Sequence, residues 1–168
     1  MGILRTGIPA ALLLLCSAPT TWAASSGGQD KHLVARGRYL VVIGGCNDCH
    51  TAGFAESGGQ LPEKRWLTGN PLGWHGPWGT TYSSNLRRFM QSKTRAQWLE
   101  FAHNAKLRPP MPSWALHAMT DRDPAAIYAF IRHLGPAGKP APTYVPPDQE
   151  PKGPYVSWPS PKAGRKDG

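Results

Sequence analysis

Residues 44–53 read GGCNDCHTAG and place two cysteines and a histidine within positions 46 to 50. A pair three residues apart can close a redox disulfide, seed a zinc site or carry a haem, and each use demands different surroundings. A thioredoxin-like pair belongs at a strand-to-helix junction of an α/β fold, and the sequence lacks the alternating strand pattern for one. A structural zinc site needs two further Cys or His ligands at short spacing, whereas His32, His75, His103, His117 and His133 stand isolated. The haem reading uses all three residues together. Each thiol adds across a vinyl group to form a thioether, and the adjacent His50 lies under the ring with its imidazole toward the iron. Cys46 and Cys49 are about one helical turn apart and straddle the porphyrin edge.

The cysteine count agrees with that use. The first residues look like a secretion signal, with Arg5 as the positive start, IPAALLLLC as the apolar run, and Thr21 and Ala23 as small residues before a cut near Ala23. The apolar run is shorter than the roughly 20 residues a membrane span requires. Cleavage removes Cys16 and leaves only Cys46 and Cys49 for a protein exported to an oxidising compartment.

The 168 residues suffice for one small domain, and the formal charge is +9. Arg87, Arg88, Lys93, Arg95, Lys106 and Arg108 fall in one stretch whose single acid is Glu100. Such bias suits nucleic acid, an anionic membrane surface or an acidic protein partner, or is simply a solvated basic face. Export argues against nucleic acid. Redox proteins with an acidic docking face are the expected partners.

SSGGQD reads as a flexible lead-in, and KHLVARGRYLVVIGG as a first helix ended by glycines. Residues 51 to 92 show no sustained period and read as loop. TRAQWLEFAHNA is a second helix, with Thr94 and Gln97 as a capping box and Trp98, Phe101, Ala102 and Ala105 as its buried stripe. DPAAIYAFIRHLG is a third, with Pro124 in its first turn, Ile127, Phe130, Ile131 and Leu134 inward, and Gly135 at its end. Nine of the eighteen prolines lie between Pro136 and Pro161, interleaved with Tyr144, Tyr155 and Trp158. This extension, residues 137–168, is expected to lie along the surface of a domain spanning 24–136, or along a partner, with KAGRKDG mobile at its end.

Haem iron has a second axial position, where methionine raises the potential, histidine lowers it, and an empty site permits ligand binding. Met111 sits in RPPMP, where prolines stiffen an extended loop, and is the favoured second ligand. Met119, His75, His103 and His117 are the alternatives.

On these residues the chain resembles class I c-type cytochromes, in particular the single-haem modules of cytochrome subunits from bacterial periplasmic dehydrogenases. RGRYLVVIGGCNDCHTAG resembles the first helix and attachment site, and GPWGTTYSSNL resembles a Gly-x-x-Tyr-x-x-Asn loop. RPPMPSWALHAMTDRD resembles the methionine loop, and AAIYAFIRHLG the last helix. The resemblance covers roughly residues 32 to 136. It implies an all-α, cytochrome c-like fold of three to four helices and long loops around one covalently bound haem c. The first and last helices would meet at Gly37, with Tyr128 or Phe130 nearby. It further implies that Cys46 and Cys49 attach haem, with His50 as proximal and Met111 as distal ligand. Tyr82 and Asn85 would hydrogen-bond the propionates or the methionine loop, or merely close a turn. Arg87 and Arg88 would neutralise propionates or face solvent, and Trp66, Trp74, Trp78 and Trp114 would wall the haem.

Two departures from the resemblance stand out. NLRRFMQSKTRAQW is short and basic where the related modules carry a longer glycine-rich turn, and the proline-rich extension runs past the module. The expected role is a periplasmic carrier of single electrons rather than an enzyme. The alternatives are an electron-transfer and docking subunit of a periplasmic or membrane-bound oxidoreductase, and a haem enzyme or gas sensor with a displaceable distal ligand.

Overall fold

A computed structural model describes residues 26–158, together with Gly2. The remainder of the expected leader (1–23) and the closing KAGRKDG lie outside the described residues. In chain order the elements are α1 (Ser26–Ile43), α2 (Cys46–His50), a 3-10 turn (Glu63–Arg65), β1 (Gly73–Gly76) and β2 (Gly79–Tyr82). They continue with α3 (Leu86–Gln91), α4 (Arg95–Asn104), α5 (Ser113–His117), α6 (Arg122–Leu134) and β3 (Tyr155–Ser157). No helix among the described residues is long and apolar enough to cross a membrane.

Helices α1 and α6 form the frame. The stripe read from the sequence on α6 is inward, with Ile127, Phe130 and Ile131 buried beside Leu40 and Val41 of α1. Gly37 makes the approach possible, because a β-carbon there would lie 2.0 Å from the Ala126 carbonyl oxygen and 2.7 Å from Phe130 Cβ. Phe130, rather than Tyr128, is the aromatic at this crossing; Tyr128 donates its hydroxyl to the Lys93 carbonyl at 3.0 Å. α4 is capped as the sequence predicts, with Thr94 and Gln97 bonding each other's backbone reciprocally. Its Trp98 and Ala102 are buried, and the Trp98 indole N–H donates to the Pro124 carbonyl at 2.7 Å.

The fold class is mainly helical with long loops, as expected; the described residues form six helices and a small sheet. Two expectations need correction. The lead-in is helical from Ser26, so α1 begins earlier than the sequence reading places it. Residues 51–92 are not simply loop, since they contain β1, β2 and α3. The strand sequences GWHG and GTTY carry no alternating pattern because their pairing, not their side chains, defines them. β1 pairs antiparallel with β2, Gly73 opposite Tyr82, and parallel with β3, Gly73 opposite Tyr155. The third strand thus comes from the proline-rich extension. Thr80 and Val145 exchange backbone hydrogen bonds of 2.7 and 3.0 Å, and Tyr144 donates to the Trp78 carbonyl at 2.7 Å. The extension therefore follows the domain surface through residue 158.

Candidate functional site

The C-x-x-C-H run is α2 itself. Gly45, at φ +64°, turns the chain out of α1 and into this single turn, so Cys46, Cys49 and His50 are presented together. Both thiols are free. Burial pushes the Cys46 thiol up to about 11, against an opposing backbone hydrogen bond, with Asp48 and Cys49 adding to the rise. Burial, with Asp48 adding, also raises Cys49. These are apolar, protonated sulfurs rather than the low-pKa thiolates of a redox pair. Among the described residues no group of three or more His, Cys, Asp or Glu is placed to hold a metal ion, which disfavours zinc.

His50 is held on two sides. Its Nδ1 lies 2.7 Å from the Ser84 carbonyl oxygen, and its own carbonyl accepts from Gly69 N–H at 2.8 Å. A carbonyl only accepts, so Nδ1 carries the proton and Nε2 keeps its lone pair. Burial lowers the pKa of the ring, while the Ser84 contact opposes that shift. A neutral imidazole with Nε2 free, beside two thiols one turn away, is the donor set that a covalently attached iron porphyrin requires.

A buried polar chain supports α2 from behind. Thr51 Oγ1 donates to Asn47 Oδ1 at 2.7 Å and accepts from Leu67 N–H at 2.7 Å. Leu67 is fully buried at φ +59°, a backbone conformation uncommon for leucine and held in place by these bonds. Thr51 also bridges Gly69, which returns the chain to His50.

Met111 is half-buried against the core in the loop before α5. Its N–H donates to the Arg108 carbonyl and its carbonyl accepts from Ser113 N–H, at 3.2 and 3.0 Å. Ser113 in turn accepts from Leu107 N–H, closing the loop. Met119 also sits against the core. Each of the other histidines considered has one ring nitrogen engaged: His75 with Thr80 Oγ1, His103 with Asp121, and His117 with the Ala105 carbonyl.

Tyr82 is buried at the end of β2. Asn85 is buried and closes a turn: its Oδ1 caps α3 by accepting from Arg88 N–H, and its Nδ2 donates to the Ala137 and Lys139 carbonyls at 2.8 and 3.0 Å. Arg87 is buried too, and its guanidinium donates to the carbonyls of Lys64, Leu134 and Gly135. It closes the C-terminus of α6, a role the sequence reading does not contain. Arg88 is exposed. The four tryptophans separate. Trp66 is buried between Phe54 and Phe130, Trp74 and Trp78 meet Trp158 across the sheet, and Trp114 is 74% exposed. Ser84, Thr51 and Leu67 escaped the sequence reading because their roles are carried by backbone groups or by a hydroxyl without a motif.

The family model for cytochrome c matches residues 34–135, and the C-x-x-C-H run lies inside that span. Two curated relatives are similar to the chain. The cytochrome c subunits of the quinone alcohol dehydrogenases of Gluconacetobacter polyoxogenes and Komagataeibacter europaeus are each 30% identical over 151 residues. The aligned region is 83% of this chain and only 28% of each relative's length. No solved structure is significantly similar.

Proposed function

Since the chain belongs to the cytochrome c family, with its covalently bound haem c, we propose that it is a periplasmic carrier of single electrons whose iron is ligated by His50 and Met111. The observation that carries this reading is the 2.7 Å contact from His50 Nδ1 to the Ser84 carbonyl, which reserves Nε2 for iron. When bound, the haem supplies an iron that alternates between ferric and ferrous states.

The chain's own residues do the rest. Cys46 and Cys49 would hold the haem to α2 covalently, as thioethers. His50 presents a neutral imidazole, fixed through Nδ1, whose Nε2 would bind the iron. Met111, on a loop braced by Arg108 and Ser113, would supply a thioether as the second ligand. Ligation by both residues would leave the iron no position for substrate, which favours a carrier over an enzyme or gas sensor. Tyr82 would hydrogen-bond a propionate, and the excess of basic side chains would speed encounter with an acidic redox partner.

The test is the absorption spectrum of the exported holoprotein. Sulfur ligation gives the ferric form a weak far-red band, which Met111→Ala should abolish. Persistence of the band in that variant overturns Met111 as the ligand. Rapid binding of carbon monoxide or cyanide by the unaltered protein favours the sensor reading instead.

A second reading, an electron-transfer and docking subunit of a larger oxidoreductase, draws support from the extension. Tyr155, Val156 and Trp158 are exposed large hydrophobic residues on and beside the edge strand β3. A stable co-purifying dehydrogenase that dissociates on Trp158→Ala would favour it.

A further inference from the structure

We propose that the proline-rich extension is a clamp on the proximal side of the haem, with Asn85 as the positioning residue that sets the Ser84 carbonyl against His50. The proposal rests on the reading of His50 as an iron ligand.

The segment Tyr82–Asn85 joins β2 to α3 and contains the one carbonyl that accepts from His50 Nδ1. The extension grips the strand that leads into it and, at its other end, Asn85. Upstream, Val145 exchanges two backbone hydrogen bonds with Thr80 of β2. Downstream, both hydrogens of the Asn85 amide go to extension carbonyls, those of Ala137 and Lys139. Gly138 sits against this amide so closely that a β-carbon would lie 3.1 Å from Asn85 Nδ2 and 3.2 Å from Thr68 Cβ, at φ +70° where a side chain is already strained. Next door, Arg87 fastens the start of α3 to the end of α6 through Leu134 and Gly135, immediately before the extension begins. A short peptide between two fixed points has little freedom, so its Ser84 carbonyl is held at one distance from the imidazole.

That distance has an electronic consequence. A firm Nδ1–H···O bond raises the basicity of the ring and favours the ferric state, so loosening it raises the reduction potential. The clamp would therefore set the driving force of electron transfer from a part of the chain that lies outside the matched 34–135 span.

The test uses the full-length holoprotein and two readouts, the midpoint potential and the solvent exchange of the His50 Nδ1 proton in the ferrous form by NMR. Asn85→Asp keeps the oxygen that caps α3 but places an acceptor against two carbonyls. Asn85→Ser keeps a capping oxygen and replaces the two amide donors with one hydroxyl on a shorter side chain. Gly138→Ala disturbs the same contact from the extension side. All three are expected to speed exchange on the order of tenfold, and the two that add no charge, Asn85→Ser and Gly138→Ala, to raise the potential. Thr94→Ala, which weakens the distant α4 cap, is expected to lower the melting temperature and leave both readouts unchanged. If Asn85→Ser and Gly138→Ala leave potential and exchange at the native values, or Thr94→Ala shifts them equally, the clamp is refuted. Absence of any haem-shifted His50 ring signal in the unaltered protein refutes the ligand reading itself, and the clamp with it.

Discussion

Gly37 of α1 and Ala126 of α6 touch backbone to side-chain position: a β-carbon on residue 37 would stand 2.0 Å from the Ala126 carbonyl oxygen. No rotamer change relieves that overlap, since both atoms are fixed by helix geometry. The crossing of these helices carries Leu40 and Val41 into the core and delivers the end of α1 to the C-x-x-C-H turn.

Gly37→Ala is accordingly expected to destabilise the protein. Alanine favours a helix over glycine by about 1 kcal/mol, but overpacking against backbone costs roughly 3 kcal/mol or more, so the clash wins. Denaturant unfolding of the variant checks the sign. A gain in stability would mean that the two helices separate freely.

Arg87 donates to three carbonyls from a buried position, and burial lowers its pKa. Arg87→Met keeps much of the stem volume and leaves those carbonyls without their donor. The expected loss is about 2–4 kcal/mol, with Arg87→Lys recovering only part because an ammonium cannot reproduce the planar fork. Melting curves of the two variants decide it, and equal stability of Lys and Arg would contradict the role given to the fork.

The hydroxyl of Thr51 joins Asn47 to the Leu67 N–H. Thr51→Val preserves shape and removes that link, stranding a buried donor at a strained residue. About 1–3 kcal/mol should be lost, and amide exchange at Leu67 should accelerate more than exchange in α4. Uniform acceleration across the chain would show that the link is not local.

Trp158 meets Trp74 and Trp78 at ring-centroid distances of 6.0 and 6.2 Å while staying about half exposed. Trp158→Ala should cost only about 1 kcal/mol globally. Its main effect is expected to be local, with the β1–β3 pairing opening and the extension becoming sensitive to protease. Unchanged proteolysis would show that the backbone pairing alone holds β3.

Replacing both Cys46 and Cys49 with serine removes the two attachment points. Mass spectrometry of the exported variant is expected to give the bare polypeptide mass, against polypeptide plus one haem for the native chain. A haem-sized increment surviving both substitutions would overturn the attachment sites.

The core of the candidate site was legible because its side chains are adjacent in sequence. Cys46, Cys49 and His50 occupy one turn, and the apolar spacing of Ile127, Phe130 and Ile131 together with the Thr94–Gln97 box reports helices whose stabilising contacts are local. The sheet was not legible. GWHG and GTTY pair with each other, and the sheet is completed only when Tyr155–Ser157 returns to pair with GWHG, a contact between residues some eighty positions apart. For the same reason tertiary structure alone decided that Arg87 closes α6, that Asn85 binds the extension, and that Ser84 faces His50. Each of these depends on backbone carbonyls, which every residue possesses and no sequence pattern marks, so their partners are settled only when the chain folds back on itself.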